Sequence, residues 1–319
     1  MVKISVISTT FRTGGIDVLF SGLANQTFKE FELILVDHRY EHRHKQILKL
    51  AKKMGLNLIH VPEHRRNGKW YVGAAATNTG IMLAEGEIIM LLTDFSYAHP
   101  DWIEAHLQHH LEGKLIYVMA PNRYYDEMPE IVDLKNEISW FKEFFSPKML
   151  EGLKLNPYGD PKIREPSGPI LFSYCHVKND SFRREVALEV GGADENFDKG
   201  KGPWDNEFCF RFQRAGYLPY NELKATLENL NPRLVKGFES MPWGGVGGAE
   251  DKVEGRWSWK DGEAYQNTRY AEIQSGAPPK TKNPYDMFEK RKEIWHWREL
   301  SQEREAVIPH NDVPDEKWY

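Results

Sequence analysis

The residues that could do chemistry are three aspartates and the groups around them. Asp205 opens the stretch "WDNEFCFRFQRAG" (204–216), with Glu207 two residues on. Phe208, Phe212 and Ala215 recur at i, i+4 and i+7, so the spacing predicts an amphipathic helix with Asp205 in its first turn. A helix N-terminus favours the ionised carboxylate, the form a general base needs, while Glu207 pushes the other way as a like charge. A helix-start Asp can equally do no more than satisfy backbone donors. Glu207 either orients a ligand or Asp205, or faces solvent. Asp94 follows the apolar run "IIMLL" (88–92) and has Phe95, not a second acid, beside it. It could accept hydrogen bonds from a ligand or hold a divalent cation with help from Thr93 and Ser96. A lone carboxylate makes a poor site for Mg²⁺ or Mn²⁺, which take several oxygens. Asp37 ends the run "FELILVD" (31–37) and either accepts from a ligand's N–H or hydroxyl groups or pairs with Arg39 or Arg43. Arg65, Arg66 and Lys69 in "EHRRNGKW" (63–70) suit phosphate, or form a solvated basic loop. His38, His42 and His44 cluster, as do His106, His109 and His110, and a solvated face is the plain account of both groups.

These residues need a scaffold, and the first 120 residues supply an alternating one. "ISVIS" (4–8), "FELILVD" (31–37), "LNLIHV" (56–61), "EIIMLL" (87–92) and "KLIYVMA" (114–120) read as strands. Helical spacing falls between them at 15–27, 44–55, 73–86 and 99–113, with Gly55 as a C-terminal cap. Such alternation predicts a mainly parallel sheet with helices on both faces, and ligands bind at the C-terminal ends of its strands. Thr9 to Arg12, Asp37 and Thr93 to Ser96 then share one rim. Further on, the pattern predicts a helix around 130–145, a strand over 170–177 and a helix over 181–192 started by Ser181. Beyond about 235 the character changes, to a Gly-rich loop "PWGGVGG" (242–248), a linker (276–284) and a helix over 285–303.

Composition narrows the class. The 319 residues allow one large α/β domain with an appendage, and a net charge of −5 provides no overall basic field for nucleic acid. No apolar run reaches the roughly 20 residues a spanning helix needs. The chain starts on a strand rather than a leader, which points to the cytoplasm. Cys175 and Cys209 are the only cysteines, and two buried reduced thiols are expected. Six of the ten tryptophans lie at 243 or beyond, where they either pin an appendage or offer rings to a sugar.

Four ordered stretches resemble the GT-A fold glycosyltransferases of family 2, inverting enzymes that use nucleotide sugars. They are "ISVISTTFR" (4–12), "ELILVDH" (32–38), "NGKWYVGAAATNTGIMLAEGEIIMLLTDF" (67–95), and "SFRREVALEVGGADENF" (181–197) followed by "WDNEFCFRFQRAGY" (204–217). The resemblance covers about residues 3–230. It implies an α/β, Rossmann-like GT-A fold: a mixed, mainly parallel central sheet flanked by helices. Residues 1–234 would form the glycosyltransferase domain, with a nucleotide-sugar-binding half (1–120) and an acceptor and catalytic half (121–234). Residues 235–319 would form a C-terminal extension.

The same resemblance implies a hexosyltransferase-type enzyme. A nucleotide-sugar donor, UDP-linked by expectation, would lie against Thr9, Thr10, Phe11, Arg12, Asp37, Arg66, Asn78, Thr93 and Asp94. Phe11 either stacks on the base or joins the core. Asp205 would be the general base for inversion, with Glu207 assisting and Trp204 on the acceptor side. The acceptor is a carbohydrate-type or other hydroxyl, a modified nucleobase included. Two departures bear on a Mn²⁺ or Mg²⁺ cofactor held by Asp94. Phe95 stands where the family carries its metal-ligating acid, and "ATLENLNPR" (225–233) offers Glu228 or Asn229 where relatives carry a His. A catalytically silent relative that binds a nucleotide sugar or glycan is the alternative. A sugar-nucleotidyltransferase fits poorly, because "STTFRTGG" is not a Gly-rich basic phosphate loop.

Overall fold

Four apolar runs of the N-terminal half form the parallel strands β1 (Ile4–Thr10), β2 (Phe31–Asp37), β3 (Leu58–Val61) and β4 (Ile88–Leu92). In the computed structural model, which describes residues 3–64, 73–111, 115–156, 159–172, 175–199, 203–230, 259–275 and 286–308, they lie in the order β3-β2-β1-β4. Continuous hydrophobicity is what a strand covered on both faces requires. Alternate residues serve the two sides. Ile7, Ile34, Val36, Ile89 and Leu91 enter one core cluster, and Val6, Leu33, Leu35 and Met90 the other. Helices α1 (Ile16–Ala24), α2 (Tyr40–Met54) and α4 (Trp102–Leu111) cover the second face. The small-residue helix α3 (Ala74–Leu83) covers the first, and its Gly80 has no room for a Cβ, which would sit 2.3 Å from Ile7 Cγ2. Gly55 takes the left-handed conformation and caps α2, as expected.

The C-terminal half departs from the sequence pattern. The sheet continues through β9 (Asn179–Arg183), antiparallel to both β4 and β6 (Ile116–Met119), and then through β10 (Leu218–Asn221) and β8 (Gly168–Pro169). The strand expected over 170–177 is absent among the described residues. The helix expected over 181–192 is only α5 (Arg184–Glu189), preceded by strand. The polar sequence "NDSFR" hides a central strand because its side chains are bonded inside the fold. Asn179 Nδ2 donates to the Pro121 and Ala225 carbonyls, its Oδ1 accepts from Trp102 Nε1, and Tyr117 donates to Asp180 Oδ2 at 3.0 Å. The helix expected around 130–145 is irregular chain instead. Trp140, Phe141 and Phe145 turn inward there, with Phe95, Tyr97 and Tyr125, as a third cluster.

A second sheet joins β5 (Ser96–Ala98), β11 (Leu227–Asn229) and β7 (Asn122–Tyr124), with Asn229 opposite Ser96. Helix α6 (Trp204–Arg214) matches its sequence pattern, and Phe208 and Phe212 enter the first cluster. The described part of the C-terminal extension is docked on this body. Beyond α7 (Trp259–Gln274), the expected terminal helix is broken into α8 (Met287–Ile294) and α9 (Trp297–Leu300). Met287, Ile294 and Trp297 join the first cluster, and Arg298 pairs with Glu32 of β2 at 2.6 Å. Trp297 thus pins the extension, while Trp243, Trp257 and Trp318 and the loop 242–248 lie outside the described residues.

Candidate active site

The strands end on one rim, with Thr10 opposite Asp37 and residues 93–96 following β4. Thr9 is half-buried there. Asp94 is 5% exposed and accepts from Thr10 Oγ1 at 2.9 Å and from Arg12 Nη1 at 3.4 Å. Burial pushes its carboxyl up, against the pull of the Arg12 guanidinium and the Thr10 hydroxyl. Arg12 is stacked as well, its Cζ 4.5 Å from the Phe11 ring centroid and 4.6 Å from that of Phe95. Thr93 Oγ1 and Ser96 Oγ share a hydrogen bond of 2.6 Å, and Asn229 Nδ2 donates to both, at 3.1 and 2.8 Å. Glu228 turns away, onto His99, Arg123 and Tyr125.

This donor set does not fit a protein-held divalent cation. Phe95, at φ +61°, points its ring into the third cluster, and Asn229 presents an N–H₂ donor to its neighbours. Among the described residues no group of three ligating side chains includes Asp94; the one such group is Cys175, Asp180 and Cys209. Those two cysteines are joined as a disulfide, in contrast to the reduced thiols expected, because the fold brings the 170s loop against α6. A sequence separation of 34 residues carries no sign of that contact.

Asp37 faces inward. Its Oδ2 accepts from Arg43 Nε at 2.6 Å and His60 Nε2 at 3.0 Å, and its Oδ1 from Arg43 Nη2 at 2.7 Å and the Arg39 N–H at 2.8 Å. Four contacts fill a carboxylate's lone pairs, and the residue is fully buried. Burial would raise this acid, but Arg43 and His60 hold it well below the usual range. Of the two partners weighed from the sequence, Arg43 takes the side chain. Arg39 gives only its N–H to Asp37 and places its guanidinium on Glu137. Arg43 also reaches Thr10 Oγ1, so Asp37, Arg43, Thr10 and Asp94 form one connected line. Behind Asp37, His60 Nδ1 meets His44 Nδ1 at 2.8 Å, and His44 Nε2 meets the Glu303 carbonyl at 2.9 Å. Burial pulls His60 down to about 4 and lowers His44.

The solvated faces expected for the histidines therefore hold only in part. His42 is exposed, but His44 is buried, and so are His106 and His110, which bond Ser181 Oγ at 2.9 and 2.8 Å. Such positions are legible only once β9 is placed beneath α4.

Around α6 the candidates separate. Asp205 keeps an accessible side chain, 21% exposed, with its Oδ2 3.8 Å from His176 Nδ1. Its Oδ1 accepts the Asn206 N–H at 3.0 Å. Glu207 is fully buried between Arg211 Nη2 at 2.8 Å and Arg269 Nη2 at 3.2 Å, so it meets neither solvent nor a ligand. The i,i+4 spacing of Glu207 and Arg211 was the signal for the first of those pairs. Asn78 is also inward. It donates to the Ala193 carbonyl and to Glu195, each at 2.8 Å, and accepts the Ala193 N–H at 2.7 Å. It fastens the "GGADENF" segment to α3 and has no surface for a nucleotide. Trp204 is half-buried, packed beside Gly73 and the first cluster. Arg65, Arg66 and Lys69 lie outside the described residues.

Residues 176–178 join the two regions. His176 faces Asp205, and the Lys178 carbonyl accepts the Thr93 N–H at 3.2 Å. His176 and Lys178 also line a cavity of about 290 Å³ with Tyr124, Asn156, Asp160 and Pro161. That cavity was not legible in the sequence, since residues 122–124 and 156–161 meet only through tertiary packing.

Residues 5–190 match the family model described as glycosyl transferase family 2. The chain belongs to that family. Family membership and the mixed sheet agree with the GT-A fold expected from the sequence. Over 243 residues, 67% of its length, the chain is 27% identical to hyaluronan synthase of Pasteurella multocida. It spans about a quarter (23%) of that curated relative. Among solved structures it is similar to S. aureus TarS 1–349 in complex with UDP-GlcNAc, with a TM-score of 0.54 at 14% identity. That alignment covers 94% of this chain and 72% of the other, and it supports the fold. No described helix is long and apolar enough to cross a membrane.

Proposed function

We propose that this family 2 chain transfers a sugar from a nucleotide-sugar donor, UDP-linked, to an acceptor hydroxyl with inversion. What carries this reading is Asp205: it is the accessible acid of α6, while Glu207 beside it is buried in ion pairs. Donor binding is assigned to the rim of Thr9 to Arg12 and Thr93 to Asp94. Asp37 acts there through Arg43 and Thr10 rather than by touching the ligand. The TarS structure carrying UDP-GlcNAc supports a UDP-sugar as the first donor to try.

The chemistry asked of the chain is single displacement. Asp205 takes the proton from the acceptor hydroxyl as that oxygen bonds to the anomeric carbon. The bond from that carbon to the diphosphate oxygen breaks, and the electron pair leaves with the nucleoside diphosphate. The donor set at Asp94 does not fit a cation, and the leaving diphosphate must be neutralised by the chain's own side chains. The test is a transfer and hydrolysis assay over a panel of UDP-sugars and oligosaccharides. Asp205→Asn should lower kcat by about 10²–10⁴-fold while UDP affinity stays within twofold. A wild-type chain that binds UDP yet turns over no donor would leave a binding protein instead.

A further inference from the structure

The strand-end rim already contains a cation of its own. Arg12 places its guanidinium between the Phe11 and Phe95 rings, with Nη1 on Asp94 Oδ1. A guanidinium has five N–H donors. Among the described residues only Asp94 accepts from this one, which leaves the rest of the fork open. Its side chain is 20% exposed, so the open donors can be reached.

Phe95 is a fixed floor for that cation. Its ring stacks on Trp140 with centroids 4.7 Å apart, and the two residues are 2% and 1% exposed. Gly15 must lack a side chain for this, because a Cβ there would lie 1.9 Å from Phe95 Cδ1. A ring face attracts a guanidinium and leaves its in-plane N–H groups directed outward. The acid that the resemblance implies at 95 and the histidine that it implies at 228 or 229 are both missing, and what stands in their place fits an arginine rather than a metal.

We propose that Arg12 takes the place of a divalent cation at this rim, holding the donor's diphosphate through the N–H groups it does not give to Asp94, so that donor binding needs no metal. The inference rests on the donor assignment under the proposed function. Planar, charge-assisted N–H bonds suit phosphate oxygens. As the bond to the anomeric carbon breaks, negative charge grows on the diphosphate. Arg12 neutralises it while staying protonated, and the only proton that moves goes from the acceptor hydroxyl to Asp205.

Calorimetric titration of UDP into the full chain, in EDTA and in Mn²⁺, tests this. The expected Kd is equal within twofold in the two buffers. Arg12→Ala should raise it at least tenfold, and Arg12→Lys, which keeps the charge but loses the fork and the stack, should fall between. Phe95→Leu should weaken UDP binding severalfold and leave uridine binding unchanged. Circular dichroism of each variant checks folding. UDP binding that is lost in EDTA and restored by Mn²⁺ would overturn the inference, as would an Arg12→Ala chain that binds UDP like wild type. Inorganic pyrophosphate separates the two readings. If it binds in EDTA and needs Arg12 while no UDP binds, the anion site stands and the donor assignment falls; if neither binds, both fall.

Discussion

At the scale of single residues, one side chain that the resemblance places on the donor is turned inward and braces the fold. Asn78 spends its amide on the backbone of Ala193 and on Glu195, fully buried. Asn78→Ala should strand these polar partners and cost roughly 2–4 kcal/mol, since each buried group left unpaired costs about 1–3 kcal/mol. Chemical denaturation measures that loss, and UDP affinity of the folded variant should stay within twofold of wild type. A large loss of affinity without a loss of stability would return Asn78 to the ligand. Its inward orientation was not legible, because α3 is buried all round, Thr77, Asn78 and Thr79 included, and its sequence marks no solvent-facing side.

At the scale of elements, helix α7 is tied to α6 by charge. Arg269 reaches Asp194 at 3.1 Å and Glu207 at 3.2 Å, and all three are buried. Removing one member of a buried ion pair costs about 3–5 kcal/mol. Arg269→Met should therefore destabilise the chain by roughly 3 kcal/mol. Glu207→Gln in the same chain should recover part of it, read as a coupling in a double-mutant cycle. Additive effects would mean that α7 rests on α6 without this pair. Elements with a plain period were legible: β1, β2 and β4 as apolar runs, α2 and α6 as amphipathic helices. The strands β3 and β6 and the helices α1, α3 and α4 also fall within the segments read from the sequence, whereas parts of the C-terminal half do not, for identifiable reasons. β9 is a polar strand held by side-chain partners, and Trp140, Phe141 and Phe145 pack without forming a helix. Arg269 stands 62 residues from Glu207, too far for any local pattern to show the pair.

Over the whole molecule, buried titrating groups set how the fold meets acid. His106 and His110 are held neutral by burial, at about 4 and about 3. The unfolded chain takes up those protons first, near pH 6.5, so stability falls as pH drops through that value toward the folded pKa values. Asp17 and Asp180 act oppositely. Burial raises both to about 6, so the folded state holds their protons first, and stability rises as pH falls from 6. The imidazole shifts outweigh the carboxyl shifts only narrowly, by about 1 kcal/mol, so Tm should drop by about 2–4 °C between pH 7 and pH 4.5, and His110→Asn should abolish that drop. A flat thermal-shift profile over that range would remove this role from the two rings.

The line from Asp37 through His60 and His44 to the Glu303 carbonyl has an arithmetic of its own. Both ends only accept, and three gaps separate them. Two neutral imidazoles bring two protons. Asp37, the stronger acceptor, keeps its share: His60 turns Nε2–H toward it and leaves a bare Nδ1 facing His44. His44 has one proton for two acceptors, the His60 ring and the Glu303 carbonyl, so one of those two contacts lacks a hydrogen. A third proton, making His44 an imidazolium, would complete the line that ties the segment after α9 to Asp37.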